Sequence, residues 1–300
     1  MQSIGDIINN LNPEIAKKHN LAQIYQQVLA DRNVQQFLNQ HKDQITSEMI
    51  KKSWSNLYEY YLAQHKQDPV TAGYRPELFL NHHAIDLRYV PDESKIEQNL
   101  RANTKKHLHL INLPETLHDV RLSQVDDTAA GRGPALAAIG KFLAGYSQNP
   151  HQQGLYLSGS FGVGKTYLLA GVANSVAAMG KQVVFLHVPT FIAGLSSHFE
   201  DNSLQKEIDR VSQADVLLLD DIGAETLSQW SRDDVLGVIL QARMDNVLPT
   251  FFSSNFAMAD LEDHFKETKN ALDPIKAKRL MERVRTLAKE VVVSGPNRRH

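Results

Sequence analysis

Cysteine is absent from the 300 residues. That excludes disulfides and thiolate metal sites alike, and it fits a reducing compartment. Long apolar runs are missing as well: none approaches the roughly 18 residues a membrane span needs. The start, Met1 to Pro13, lacks the charged lead and apolar core of a signal peptide. The expectation is a cytoplasmic protein with no membrane partner. Charge of one sign is also lacking, because 32 basic residues face 34 acidic ones for a net charge of -2. Global charge therefore gives nucleic acid no general attraction. Hydrophobic residues at 42 % and charged residues at 22 % are ordinary for a globular protein, and a chain of this length can bury full cores in two domains. The one local imbalance runs from Lys276 to His300, where eight basic residues face two acidic ones.

Periodicity divides the chain. From about Ile4 to Gln67 the sequence reads as helices. Ile50, Trp54, Leu57, Tyr58 and Tyr61 share one face of a 3.6-residue repeat, and Leu21, Ile24, Tyr25, Val28 and Leu29 share another. Such aromatic stripes read as core packing rather than as a stacking platform. Between Asp68 and Asp92, breakers such as Pro69, Gly73, Pro76 and Pro91 alternate with β-like pieces, of which Ile85 to Val90 is one. Lys95 to Lys106 is polar and reads as a tether. Beyond Asn112, short apolar runs alternate with longer amphipathic ones, the pattern of an α/β fold with a parallel sheet. Strands are expected at Gly154 to Ser158, Gln182 to His187, Val216 to Leu219 and Thr250 to Ser254, and helices at Thr166 to Met179 and Arg232 to Asn246.

One stretch carries chemistry by its spacing. Gly159, Ser160, Phe161, Gly162, Val163, Gly164, Lys165 and Thr166 form G-x-x-x-x-G-K-T. Glycines there let the backbone aim its N–H groups at phosphate oxygens, and the helix that follows adds its positive end. Lys165 can reach the terminal phosphates, and the Thr166 hydroxyl can ligate Mg2+. A strand enters this loop and an apolar-periodic helix leaves it, as a phosphate loop requires. About 50 residues on, the apolar run Val216 to Leu219 ends in Asp220 and Asp221. At the carboxyl end of a buried parallel strand, Asp220 is placed to hold the metal and Asp221 to polarise an attacking water. Asn255 closes the next strand and could orient water near the γ-phosphate, although Asn also ends strands in ordinary turns.

These residues resemble a known family. Gly154 to Gly159 leading into the phosphate loop, Leu219 to Glu225, Pro249 to Asn255 and Arg279 to Arg283 are similar to the bacterial helicase loaders of the DnaI/DnaC type, which are AAA+ ATPases. The motifs cover about Leu113 to His300, and the chain's length favours the DnaI-type primosomal members. The resemblance implies an AAA+ (ASCE) P-loop core with strand order 5-1-4-3-2 over residues 113–300, preceded by a small, mainly helical helicase-binding domain with a short linker over residues 1–104. It implies ATP sites shared between subunits, with Asn255 as sensor 1, Arg283 as an arginine finger acting on a neighbour (Arg279 being the second choice) and Arg298 as sensor 2. It further implies ATP and Mg2+ as ligands, ATP hydrolysis, and DNA replication as the setting. The partners implied are the hexameric replicative helicase, single-stranded DNA and further copies of the chain.

Relatives of this type can carry a cysteine-rich zinc site, from which this chain departs. His65, His82 and His83 are a poor substitute, and no zinc is expected. Two other functions compete: an IstB-like transposition helper ATPase, and an adaptor that binds ATP without hydrolysing it. Thr190 to Val211 lies where the family places DNA-facing helices, with Phe191, Phe199 and Lys206 as possible contacts.

Overall fold

The computed structural model of the chain describes residues 21–66, 68–125, 131–195, 203–268 and 271–298. The helical reading before residue 21, the contact residue Phe199 and the basic Arg299 lie outside the described residues, as does the side chain of Leu21. The chain divides into two compact units between Gln98 and Asn99.

In the first unit, α1 (Leu21–Ala30), α2 (Arg32–Gln40), α3 (Ser47–Lys52) and α4 (Trp54–His65) precede an antiparallel hairpin of β1 (Tyr74–Asn81) and β2 (Ala84–Pro91). Caps explain where two helices start. The Asp31 carboxylate accepts from the N–H groups of Asn33 and Val34, and the Thr46 hydroxyl from that of Met49. The face from Ile50 to Tyr61 is not one helix, because it breaks at the buried Ser53, whose Oγ accepts the Ile85 N–H at 2.7 Å. The apolar side chains still converge. Val28, Val34, Leu57, Tyr60, Leu78 and Ile85 form the core, with Ile50, Trp54, Tyr58 and Tyr61 packed against it. Tyr25 stacks on Trp54 at 4.3 Å, so the aromatic stripe is core packing. His82 and His83 form the two-residue hairpin turn, with His82 at φ +52°.

The segment expected as a tether is α5 (Glu93–His107), a helix in which Thr104 is the one buried residue. Polarity on nearly every face hid it from a periodicity argument. Strand β3 (Leu108–Ile111) follows and joins the sheet of the second unit. That unit continues with α6 (Gly133–Tyr146), β4 (Gly154–Ser158), α7 (Lys165–Ala178), β5 (Val183–His187), α8 (Val188–Leu195), α9 (Ser203–Gln213) and β6 (Val216–Asp220). After these come α10 (Gly237–Asp245), β7 (Thr250–Ser254), α11 (Met258–Lys266), the short pair β8 (Glu267–Thr268) and β9 (Ala271–Leu272), α12 (Pro274–Leu287) and β10 (Ala288–Val292). The expected helix from Arg232 opens as a π-helical turn, Ser231–Leu236, before α10.

The sheet is parallel throughout, in the order β10-β4-β7-β6-β5-β3. Its first five positions reproduce 5-1-4-3-2, and β3 adds a sixth strand at the edge. Successive side chains on a strand point to opposite faces, so the apolar runs feed two cores. Val183, Phe185, Val216 and Leu218 pack with α6 and α7, while Val184, Leu186, Leu217 and Leu219 pack with α8 to α12. Each fully buried Leu or Phe contributes roughly 1.5–3 kcal/mol relative to exposure. This doubly covered sheet fixes the carboxyl ends of β4, β5, β6 and β7 side by side. Phe191 is among the buried residues, at 4 % exposure, which removes it as a DNA contact. Lys206 is exposed. Among the described residues no helix is long and apolar enough to cross a membrane.

Candidate nucleotide site

The loop between β4 and α7 is shaped by backbone that only glycine tolerates. Gly162 has φ +77°, and a Cβ there would lie 1.8 Å from Asn297 Oδ1; Gly164 has φ +96°, and its Cβ would meet the Arg132 guanidinium at 2.6 Å. The loop is thus pressed between Arg132, at the start of α6, and the strand-like tail after β10. The Arg298 N–H donates to Gly162 O at 3.0 Å.

The side chains form one network. Lys165 is buried and donates to Gly159 O at 2.6 Å, Ser160 O at 3.0 Å and Asn255 Oδ1 at 2.8 Å. The other end of the Asn255 amide donates to Asp221 Oδ1 at 2.9 Å. The Thr166 hydroxyl lies 2.9 and 3.1 Å from the two Asp220 oxygens, and the Ser253 hydroxyl donates to Asp220 Oδ1 at 2.6 Å. Burial pushes the Asp220 carboxyl above its ordinary range, against the opposing effect of those two hydroxyls. Asp221 sits at φ +58°, a left-handed conformation that a non-glycine residue holds only when its surroundings impose it. Here Ser253 Oγ accepts its N–H at 2.9 Å, and His187 Nε2 stands 4.0 Å from its carboxylate. Two residues on, Gly223 donates its N–H to Glu225 Oε2 at 2.8 Å. Glu225 is buried, and burial pushes its carboxyl up to about 7.

These groups line a cavity of about 540 Å³. Of the residues named from sequence, Phe161, Gly162, Gly164, Lys165, Thr166, Asp220, Asp221, Asn255 and Arg298 all line it. Gly159, Ser160 and Val163 are not part of the lining: Val163 is buried, and the other two offer carbonyls to Lys165. Arg283 is elsewhere: on α12, half-buried, its Nε donates to Gln241 Oε1 on α10 at 2.8 Å. Sequence reasoning missed Arg132, Tyr167, His187, Ser253, Leu117, Gln124 and Val125, which complete the lining. Tyr167 directly follows the phosphate-loop motif, Ser253 adjoins the Asn255 signal, and His187 ends an expected strand. The other four belong to no motif.

The donor set suits a hard divalent cation, since a hydroxyl and a carboxylate converge beside the phosphate loop. A P-loop on a parallel sheet of this order, with an acidic pair ending the neighbouring strand, defines an ATP-binding protein of the AAA+ class. Comparison with known proteins narrows the class. Residues 1–89 match the model of the primosomal protein DnaI N-terminus, and residues 94–299 that of the IstB-like ATP binding proteins. The chain is 35 % identical to the replicative helicase loader DnaI of Bacillus subtilis (strain 168), over all of both chains. A crystal structure of DnaI, 40 % identical, superposes with a TM-score of 0.56 over 66 % of this chain and all of that one. The DnaC helicase loader shares the fold at 22 % identity and a TM-score of 0.51, over 60 % of this chain and all of that one. The chain belongs to the DnaI family of helicase loaders.

Proposed function

We propose that this protein is an ATP-hydrolysing loader that binds the replicative helicase through its N-terminal unit and delivers it to single-stranded DNA. The observation that carries the ATPase part is the continuous side-chain network from Lys165 through Asn255 to Asp221, beside Thr166 and Asp220. Lys165 is held here by acceptors that a triphosphate would replace, so it is positioned for the β- and γ-phosphates. Asp221 is the proton acceptor for water. The water oxygen bonds to the γ-phosphorus, the bridging bond to the β-phosphate breaks, and the water proton passes to Asp221, giving ADP and phosphate. Mg2+, held by Thr166 and Asp220, would supply charge neutralisation at the phosphates. Arg298 lies on the same cavity and supplies a further cation. Arg283 does not line its own chain's cavity, which supports a role at the site of a neighbouring copy and so self-association.

The match of residues 1–89 to the DnaI N-terminus favours helicase loading over IstB-type transposition help. A turnover assay with and without single-stranded DNA separates a hydrolysing enzyme from a passive adaptor. Lys165→Ala should abolish turnover and weaken ATP binding with the fold intact by circular dichroism. Unchanged turnover would reject the site. Recovery of the hexameric helicase on the immobilised full-length chain tests the partner, and helicase left in the flow-through would reject it.

A further inference from the structure

The wall of the cavity formed by Leu117, Gln124 and Val125 belongs to no phosphate motif. Leu117 and Gln124 come from two short 3₁₀ turns, Glu115–Asp119 and Leu122–Gln124, and Val125 follows the second; none of the three lies in a strand of the sheet. Something else must fix this stretch, and α7 does so at two points. Asn174 Nδ2 lies 2.6 Å from Leu117 O and 3.0 Å from Val120 O, and 2.9 Å from Ala170 O of its own helix. Its Oδ1 is buried and has no hydrogen-bond partner among the described residues, so the amide is oriented by what it donates. Three residues earlier, a Cβ on Gly171 would lie 2.5 Å from Leu122 Cδ2. The Leu122 side chain occupies the notch that glycine leaves.

One helix therefore carries Lys165 and Thr166 in its first turn and a clamp on another part of the cavity lining about two and a half turns later. We infer that Asn174, with the notch at Gly171, is a positioning residue for the base of the nucleotide. It fixes Leu117 and its neighbours at a set spacing from the phosphate loop. Leu117 and Val125 offer apolar contact to a ring face, and Gln124 offers an amide to a ring edge. This inference rests on the ATP-site reading above and goes further by assigning base selection to a residue outside the motifs.

Three probes separate base from phosphate recognition: ATP, GTP and inorganic tripolyphosphate, titrated by calorimetry on the full-length chain. In Asn174→Ala the loss of two hydrogen bonds to the wall should weaken ATP roughly ten- to thirtyfold. The ratio of ATP to GTP affinity should fall, while tripolyphosphate binding and the turnover rate at saturating ATP stay within about twofold. Gly171→Ala, whose Cβ would press on Leu122 Cδ2 and Cγ at 2.5 and 2.8 Å and so displace that side chain from its notch, should give the same pattern and serves if the first variant does not fold. Equal weakening of ATP and tripolyphosphate, or an unchanged ATP-to-GTP ratio, would overturn the clamp. A wild-type chain that binds none of the three probes would overturn the nucleotide reading itself.

Discussion

The two ends of the parallel sheet both hold buried charge, and they hold it in opposite ways. At the carboxyl ends, Asp220 and Asp221 are tied by the side chains of Thr166, Ser253, Asn255 and His187, and Lys165 by Asn255 together with two carbonyls of the phosphate loop. At the amino ends, Arg243 on α10 is fully buried and bonded mostly to main chain. It reaches Ser212 O at 3.1 Å, Ala214 O at 2.8 Å and Pro249 O at 2.7 Å, plus the Thr250 hydroxyl at 2.8 Å. Burial pushes its guanidinium down to about 9, so the charge is held at a cost that the carbonyls offset. Side-chain partners and the carbonyls of a loop can be exchanged for a ligand, whereas carbonyls locked in strand starts and helix ends cannot. The first arrangement suits a site and the second a staple.

The sharpest test lies outside both ends. Arg283 is bonded to a side-chain amide, Gln241, and so resembles the exchangeable class. Arg283→Ala should bind ATP almost normally yet lose hydrolysis by about 10³-fold or more. An equal mixture with Lys165→Ala should recover partial activity at hybrid interfaces. No recovery despite co-assembly, measured by light scattering, would place Arg283 with the structural cations.

Next in size is the staple. Arg243→Ala leaves several buried carbonyls without donors and should lower unfolding stability by about 3–5 kcal/mol in urea titrations. ATP affinity of the folded fraction should stay unchanged. A normal denaturation midpoint, or a selective loss of ATP binding, would break the contrast between the two ends.

The smallest effect concerns Glu225, a buried acid two residues past Gly223 near the phosphate-loop end. Its folded carboxyl holds a proton up to about 7, against an ordinary value of 4.5. Its contribution to stability is therefore present in full below pH 4.5 and is lost as pH rises through about 7. The upper limit of that loss is about 3 kcal/mol. Glu225→Gln should flatten the decline in melting temperature between pH 5 and 8 relative to wild type. Parallel pH profiles for the two proteins would show that Glu225 is not the group responsible.

Parts of this molecule were legible before any coordinates. The glycine spacing around Lys165 admits few backbones, and an apolar run ending in Asp220 and Asp221 about 50 residues after such a loop reads as a strand buried on both faces. Other parts were not. α5 carries charge on most of its faces, so its helix left no apolar stripe to read. Ser53 breaks a helix whose hydrophobic register continues across the break, because the break is driven by the Ile85 N–H, 32 residues away. A single aromatic such as Phe191 at helical spacing is more often core than contact, and its burial against the sheet agrees with that.

The sequence by itself determined the phosphate loop, because that loop depends on residue types at fixed short spacings. It also placed the ends of three strands, through the motifs that mark them, whereas their order in the sheet was implied by the family resemblance alone. Tertiary structure alone decided which distant groups complete the cavity. Arg132 comes from the start of α6, and Leu117 and Gln124 come from two 3₁₀ turns, the first of which Asn174 bonds. Their partners are separated by 31 residues or more in the chain, and such pairings are set by packing of whole elements, which no local pattern encodes.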